Sequence, residues 1–182
     1  RVLFRSASGR FPFSNTPYGI TPRNELEAAV WPVLKGRIFQ EATEIFLRIL
    51  KGENLASADI RPRGKIRSSD FRGPEDWKKV VEIMGHDVAE VEIPSFYDFH
   101  RVGVLPFEAP LEYLTMTLGS ADPVVHELAN QIMPVRVFNL SITPVGDLEK
   151  LHDRMREIYH PDGGAWQRSH MPRTVLCLDR KS

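Results

Sequence analysis

Ile38, Phe39, Ala42, Ile45, Phe46, Ile49 and Leu50 recur at helical spacing, with Gln40, Glu41, Thr43, Glu44 and Arg48 between them. That pattern predicts an amphipathic helix with one continuously apolar face. Lys51 and Gly52 close it with a last-turn cation and a C-terminal glycine. Upstream, Asn24 followed three residues on by Glu27 has the spacing of a capping box, and Pro32 is expected to break or kink the first segment. The apolar face reads either as packing on the protein's own body or as a docking surface for a partner. The helical segment is therefore placed at residues 24–51.

Residues 52–73 show no sustained period and carry Gly52, Pro62, Gly64 and Gly73, so they read as a loop or linker. Pro74 opens a short helix with Glu75 and Asp76 in its first turn, Trp77, Val80, Val81 and Met84 on its inner face, and Gly85 at its end. Alternation then predicts strands over Val88 to Ile93, Tyr113 to Leu118 and Val135 to Ile142, with further strands at Val102 to Leu105 and Thr174 to Leu178. Asp122 and Pro123 start a helix with Val124, Val125, Leu128 and Ile132 inward, and Asp147 caps another carrying Leu148, Leu151, Met155 and Ile158. The expectation is an α+β fold: a small mixed sheet with packed helices, its nearest pattern a ferredoxin-like β-α-β-α-β, within a body spanning residues 74–182.

Ahead of the helices, residues 1–24 contain no Asp or Glu, four Arg and several Ser and Thr. This composition is that of an organelle-import segment and points to a mitochondrial location, with the cytoplasm as the alternative. Pro12, Pro17 and Pro22 predict that residues 1–23 form an extended arm lying on a surface, with Phe11, Phe13, Tyr18 and Ile20 as apolar anchors for a protein partner.

Composition narrows the functions. A chain of 182 residues with 24 basic and 24 acidic side chains has no formal net charge, which argues against a surface that embraces nucleic acid as a whole. The single Cys177 excludes an internal disulfide framework and a thiolate zinc cluster, and its strand-like surroundings read as buried. No apolar run reaches the ~18–20 residues of a membrane span, so a soluble or peripheral protein is expected.

Three constellations carry candidate chemistry. Arg61, Arg63, Lys65, Arg67 and Arg72 surround one acid, Asp70. Guanidinium forks beside Gly64 suit phosphate, as RNA, nucleotide or lipid head group, or an acidic protein; the alternative is a solvated loop balanced by nearby acids. Histidine and aspartate fall together at His86 with Asp87, Asp98 with His100, His152 with Asp153 and His160 with Asp162. Imidazole with carboxylate suits a divalent metal, and His86, Asp87, Asp98 and His100 flank one predicted strand from which they can converge. Finally, the amphipathic segment Leu148 to Tyr159 runs into His160, Pro161 and Asp162, with Gly163 and Gly164 after them. It resembles helix II and the His-Pro-Asp loop of J-domain co-chaperones over about residues 140–164. That resemblance implies contact of these three residues with an Hsp70 and stimulation of its ATPase. The plain alternative is an ordinary helix stop. No Gly-x-Ser-x-Gly and no phosphate loop occurs. The chain reads first as a non-catalytic subunit or assembly protein of a larger complex. The second reading is a small metal-dependent hydrolase acting on a phosphorylated substrate, and the third a J-domain-like co-chaperone.

Overall fold

The computed structural model describes residues 2–7, 20–60, 64–103 and 114–174. The chain divides into two compact units: Ser8–Val104, and Arg1–Ala7 together with Leu105–Ser182.

In the first unit, α1 (Glu25–Leu50) is one unbroken helix. Asn24 caps it, its Oδ1 accepting the Glu27 N–H at 2.9 Å. Glu27 reaches back one residue further than a capping box requires, to the Arg23 N–H at 2.7 Å and the Arg23 guanidinium. Pro32 does not end the helix. It and Ala28, whose carbonyl loses its partner, both lie on the exposed face, where water replaces the bond. Residues 52–73, expected as a loop or linker, belong to this unit together with the start of the expected body 74–182, which the division after Val104 splits. They contain β2 (Lys65–Arg67), which pairs antiparallel with β3 (Glu90–Glu92), so that Ile66 stands opposite Val91. A three-residue strand is too short to show a period, and Leu55, Ile60 and Ile66 reveal their role only by being buried. Gly64 continues the ladder, accepting the Ile93 N–H at 2.9 Å, and a Cβ there would collide with the Ile93 carbonyl. α2 (Pro74–Met84) ends, as expected, at Gly85 with φ of 70°. Val30, Leu34 and Ile38 of α1 join Ile66, Val80, Val91 and Ile93 in one core.

The second unit is built on a parallel sheet in the order β1 (Val2–Ala7), β4 (Leu114–Gly119), β5 (Val135–Val137). α3 (Pro123–Ile132) supplies the crossover that parallel neighbours require. Met116, Thr117 and Leu118 are buried in succession, the mark of a central strand covered on both faces. α4 (Val145–Ile158) comes after β5. The α+β class holds. The sheet differs from the ferredoxin-like expectation, whose strands run antiparallel, because parallel and antiparallel pairing here occur in separate sheets. Residues 2–7 are a strand of this sheet rather than the start of an arm. The expected strand ending at Leu178, with Cys177, lies beyond Thr174, outside the described residues.

Asp122 caps α3 through the Val124 N–H at 2.9 Å, with Pro123 in the first turn. The buried face is Val125, His126, Ala129 and Asn130, so Val124 points outward and two polar side chains point in. Asn130 offsets its burial by pairing with both the N–H and the carbonyl of Val135, at 3.1 Å each. His126 Nε2 donates to the Ser120 carbonyl at 2.7 Å, and its buried Nδ1 has no hydrogen-bond partner. Among the described residues no helix is long and apolar enough to cross a membrane.

Candidate interaction surface

The sequence divides the second half of α1 into an apolar and a polar face, and burial matches neither simply. Gln40, Glu41, Thr43 and Glu44 are buried, whereas Phe39, Ala42, Ile45, Phe46, Ile49 and Leu50 are half-buried. A buried carboxylate needs donors. Glu41 finds them in the Phe96 and Tyr97 backbone N–H groups, at 3.1 Å each. Arg23 completes the clamp with its guanidinium 3.2 Å from the Pro94 carbonyl and 3.3 Å from that of Ser95, over the Phe96 ring. Burial alone would raise the Glu27 carboxyl, but the hydrogen bonds from Arg23 outweigh it and hold the group below the usual carboxylate range. Glu44 pairs with Arg48, whose guanidinium also holds Glu53 and the Asp59 carbonyl. The polar face of α1 thus organises the loop after β3 and the loop after α1 itself.

The histidine–aspartate residues do not assemble. His86 caps its own turn, Nδ1 lying 2.8 Å from the Met84 carbonyl, and Asp87 is exposed beside it. Asp98 and His100 line a shallow depression of about 520 Å³ with Ala56, Ser57, Ala58 and Phe99. Ser57 Oγ is taken up there by the Phe99 N–H and carbonyl, at 2.5 and 2.7 Å, so it fastens the loop. Among the described residues no group of three or more His, Cys, Asp or Glu side chains is placed to hold a metal ion. Adjacency in sequence did not become convergence in space. Lys65 and Arg67 both lie on β2 and pair with Glu90 across the ladder, at 3.2 and 2.9 Å, an exposed trio in which one acid answers two cations. Arg61 and Arg63 lie outside the described residues, as do Phe11, Phe13 and Tyr18. Ile20 packs against the first unit's own core.

His160, Pro161 and Asp162 form a tight turn after α4, in which His160 Nδ1 accepts the Asp162 N–H at 3.2 Å. β5 precedes α4, and two short 3-10 turns come after it, at Pro161–Gly163 and Arg168–His170. A parallel βαβ unit stands in front of the helix, and the tripeptide follows the end of α4 as a 3-10 turn.

Sequence reasoning missed the turn after β5. There Leu140, Ile142 and Val145 are 37%, 75% and 66% exposed. Arg173 fixes it, its guanidinium donating to the carbonyls of Leu140 at 3.3 Å, Ser141 at 2.5 Å and Thr143 at 2.9 Å. The flanking backbone is tied as well: Asn139 N–H to the Pro172 carbonyl at 2.9 Å, and Thr174 N–H to the Asn139 carbonyl at 3.1 Å. The apolar side chains therefore cannot fold under without breaking several hydrogen bonds. The turn leaves the carboxyl end of β5, the edge at which parallel sheets present their binding loops. Its only sequence signal is the end of the apolar alternation from Val135 to Ile142, which reads as a strand.

The segment that carries Arg173 is itself anchored by an aromatic and histidine cluster. Trp166 Nε1 donates to His152 Nδ1 of α4 at 2.9 Å. The Trp166 ring stands edge-on to Tyr159 and His170, with centroids 5.0 and 5.3 Å away, and Tyr159 and His170 are 5.2 Å apart. Gly163 lies against the Tyr159 ring with no room for a Cβ. His170 Nδ1 accepts the Gln167 N–H at 3.3 Å. Burial, with the positive charge of Arg136, pulls the His170 ring below the ordinary imidazole range. Glu149 and Arg168 form an ion pair at the rim. Comparison with protein-family models, with characterised proteins and with solved structures finds no match to this chain.

Proposed function

We propose that the protein works by binding other proteins, as a non-catalytic subunit or assembly factor of a larger complex. The observation that supports this is the preset apolar turn, Ile142 and Val145 held outward on a loop pinned by Arg173. Isolated exposed apolar residues are ordinary on any surface, but here three fall within six residues, across a turn pinned by Arg173 and onto the first residue of α4. Such a loop loses little further entropy on association. A mitochondrial site belongs to the same reading and rests only on the composition of residues 1–24; imaging of the tagged protein in its source cells tests it.

The deciding experiment is the native mass of the chain after gentle extraction from its source, beside a double variant Ile142→Asp, Val145→Asp. The expected result is migration far above 20.8 kDa for the unmutated chain and release of the variant, with an unchanged melting temperature. An unmutated chain that runs at its own mass overturns the proposal. So does a variant that stays in the assembly.

A further inference from the structure

We infer that the segment 159–173 is an acid-sensitive latch that sets the rigidity of the turn 139–145, with His152 and His170 as its pH-responsive contacts. This rests on the reading of that turn as a docking surface, and adds its regulation.

In both histidines Nδ1 accepts an N–H, from the Trp166 indole in one case and from the Gln167 backbone in the other. A nitrogen that accepts must be unprotonated, so each ring is neutral with its proton on Nε2. Protonation turns each acceptor into a donor facing a donor. One of the two bonds lost is the Trp166 bond that ties the segment to His152 of α4, and the other fixes the turn that sets His170 against the Trp166 and Tyr159 rings. The ion pair of Arg168 with Glu149 also ties this segment to α4, but it is exposed and therefore weak.

The charges around the two rings differ. Arg136 of β5 opposes a charge on His170. His152 has Glu149 and Asp153 near it on α4, with Arg168 across from them, so its surroundings are mixed in sign. His160 is left out of the latch because its Nδ1 bond, accepted from the Asp162 N–H, lies within its own turn and does not tie the segment to α4. Release of the segment carries away Arg173 together with the Pro172 and Thr174 backbone bonds to Asn139. The turn then loses the contacts that hold Ile142 and Val145 outward, and its readiness to dock falls in acid.

The test needs no partner. Hydrogen exchange, corrected for intrinsic rate, is measured at the amides of Asn139, Thr143 and Thr174 at about pH 7.5 and about pH 5.5, a span that crosses the ordinary imidazole range. The comparison is a double variant, His152→Gln and His170→Gln, in which a side-chain oxygen accepts the same N–H without titrating. The expected result is a loss of protection of at least about tenfold in acid for the unmutated chain, and none for the variant. Constant protection in the unmutated chain, or an equal loss in the variant, overturns the latch. Should the variant fail to fold, the Trp166 indole N–H resonance of the unmutated chain decides. It must shift with the same midpoint as the amides, and a different midpoint overturns the proposal. Failure here leaves the docking reading standing, because that reading is judged by native mass at neutral pH.

Discussion

Substitution of Glu41 by Gln isolates the contact on which the first unit's loops depend. The carboxylate receives two backbone N–H bonds at 3.1 Å, from Phe96 and Tyr97, and is itself buried. Gln keeps the shape and one acceptor oxygen but turns its NH₂ toward the second N–H. One charge-assisted bond, of about 1.5–3 kcal/mol, is lost, and the remaining bond becomes a neutral one worth nearer 1 kcal/mol. The loop is half-buried, so water partly replaces what is lost. The expected net cost is about 2 kcal/mol, or a fall of about 4–8 °C in melting temperature for a chain of this size. Because the chain has two compact units, a single global transition is not assured. Urea unfolding is therefore paired with exchange at the Phe96 and Tyr97 amides, which should accelerate by about thirtyfold. A stability change under about 0.5 kcal/mol with both amides still protected would refute the reasoning, and would mean that Arg23 holds the loop alone.

Pro32→Ala should stabilise α1 by about 2 kcal/mol, because it returns an N–H to the Ala28 carbonyl on an exposed face; a lower urea midpoint would show that the proline shapes the packing. Acid should weaken the second unit. Burial lowers the His126 ring despite its bond to the Ser120 carbonyl, and it lowers the His170 ring together with Arg136. The unfolded chain takes up these protons near pH 6.5 and the folded chain only lower, so stability falls as pH drops from about 6.5. The slope is at most about 1.4 kcal/mol per unit for each ring and ends once the folded value is passed. Urea midpoints across that span check it, and a flat profile contradicts it.

Most local signals in the sequence were faithful, although Pro32 does not end α1, and Asp147, expected as a cap, lies inside the first turn of α4, which Pro144 caps. The caps at Asn24 and Asp122, the prolines that open α2 and α3, and the left-handed Gly85 all act within a turn of themselves. Signals that depend on distant partners were not. Helical periodicity marks Glu41 as polar and hence outward, because it cannot register two N–H groups 55 and 56 residues away. The alternation from Val135 to Ile142 reads as one strand, but the ladder ends at Val137 and Arg173 captures the turn beyond it. Ile66 sits among charges in sequence and becomes core only when β3 covers it. The proposed surface was hidden for the same reason, since the exposure of Ile142 depends on an arginine far downstream, Arg173.

The pairing of Asn130 with Val135 has a bearing on how this protein behaves at high concentration. β5 borders its sheet among the described strands, and a bare border is a template on which another chain can add a strand. Along that side Val135 is occupied by the Asn130 amide, the Val137 carbonyl is approached by Asn139 Nδ2 at 3.5 Å, and Asn139 is taken by residues 172–174. Two asparagines therefore do the work of a neighbouring strand without offering a border of their own. Loss of either would turn a closed margin into a sticky one, and self-association through added strands would be the first sign.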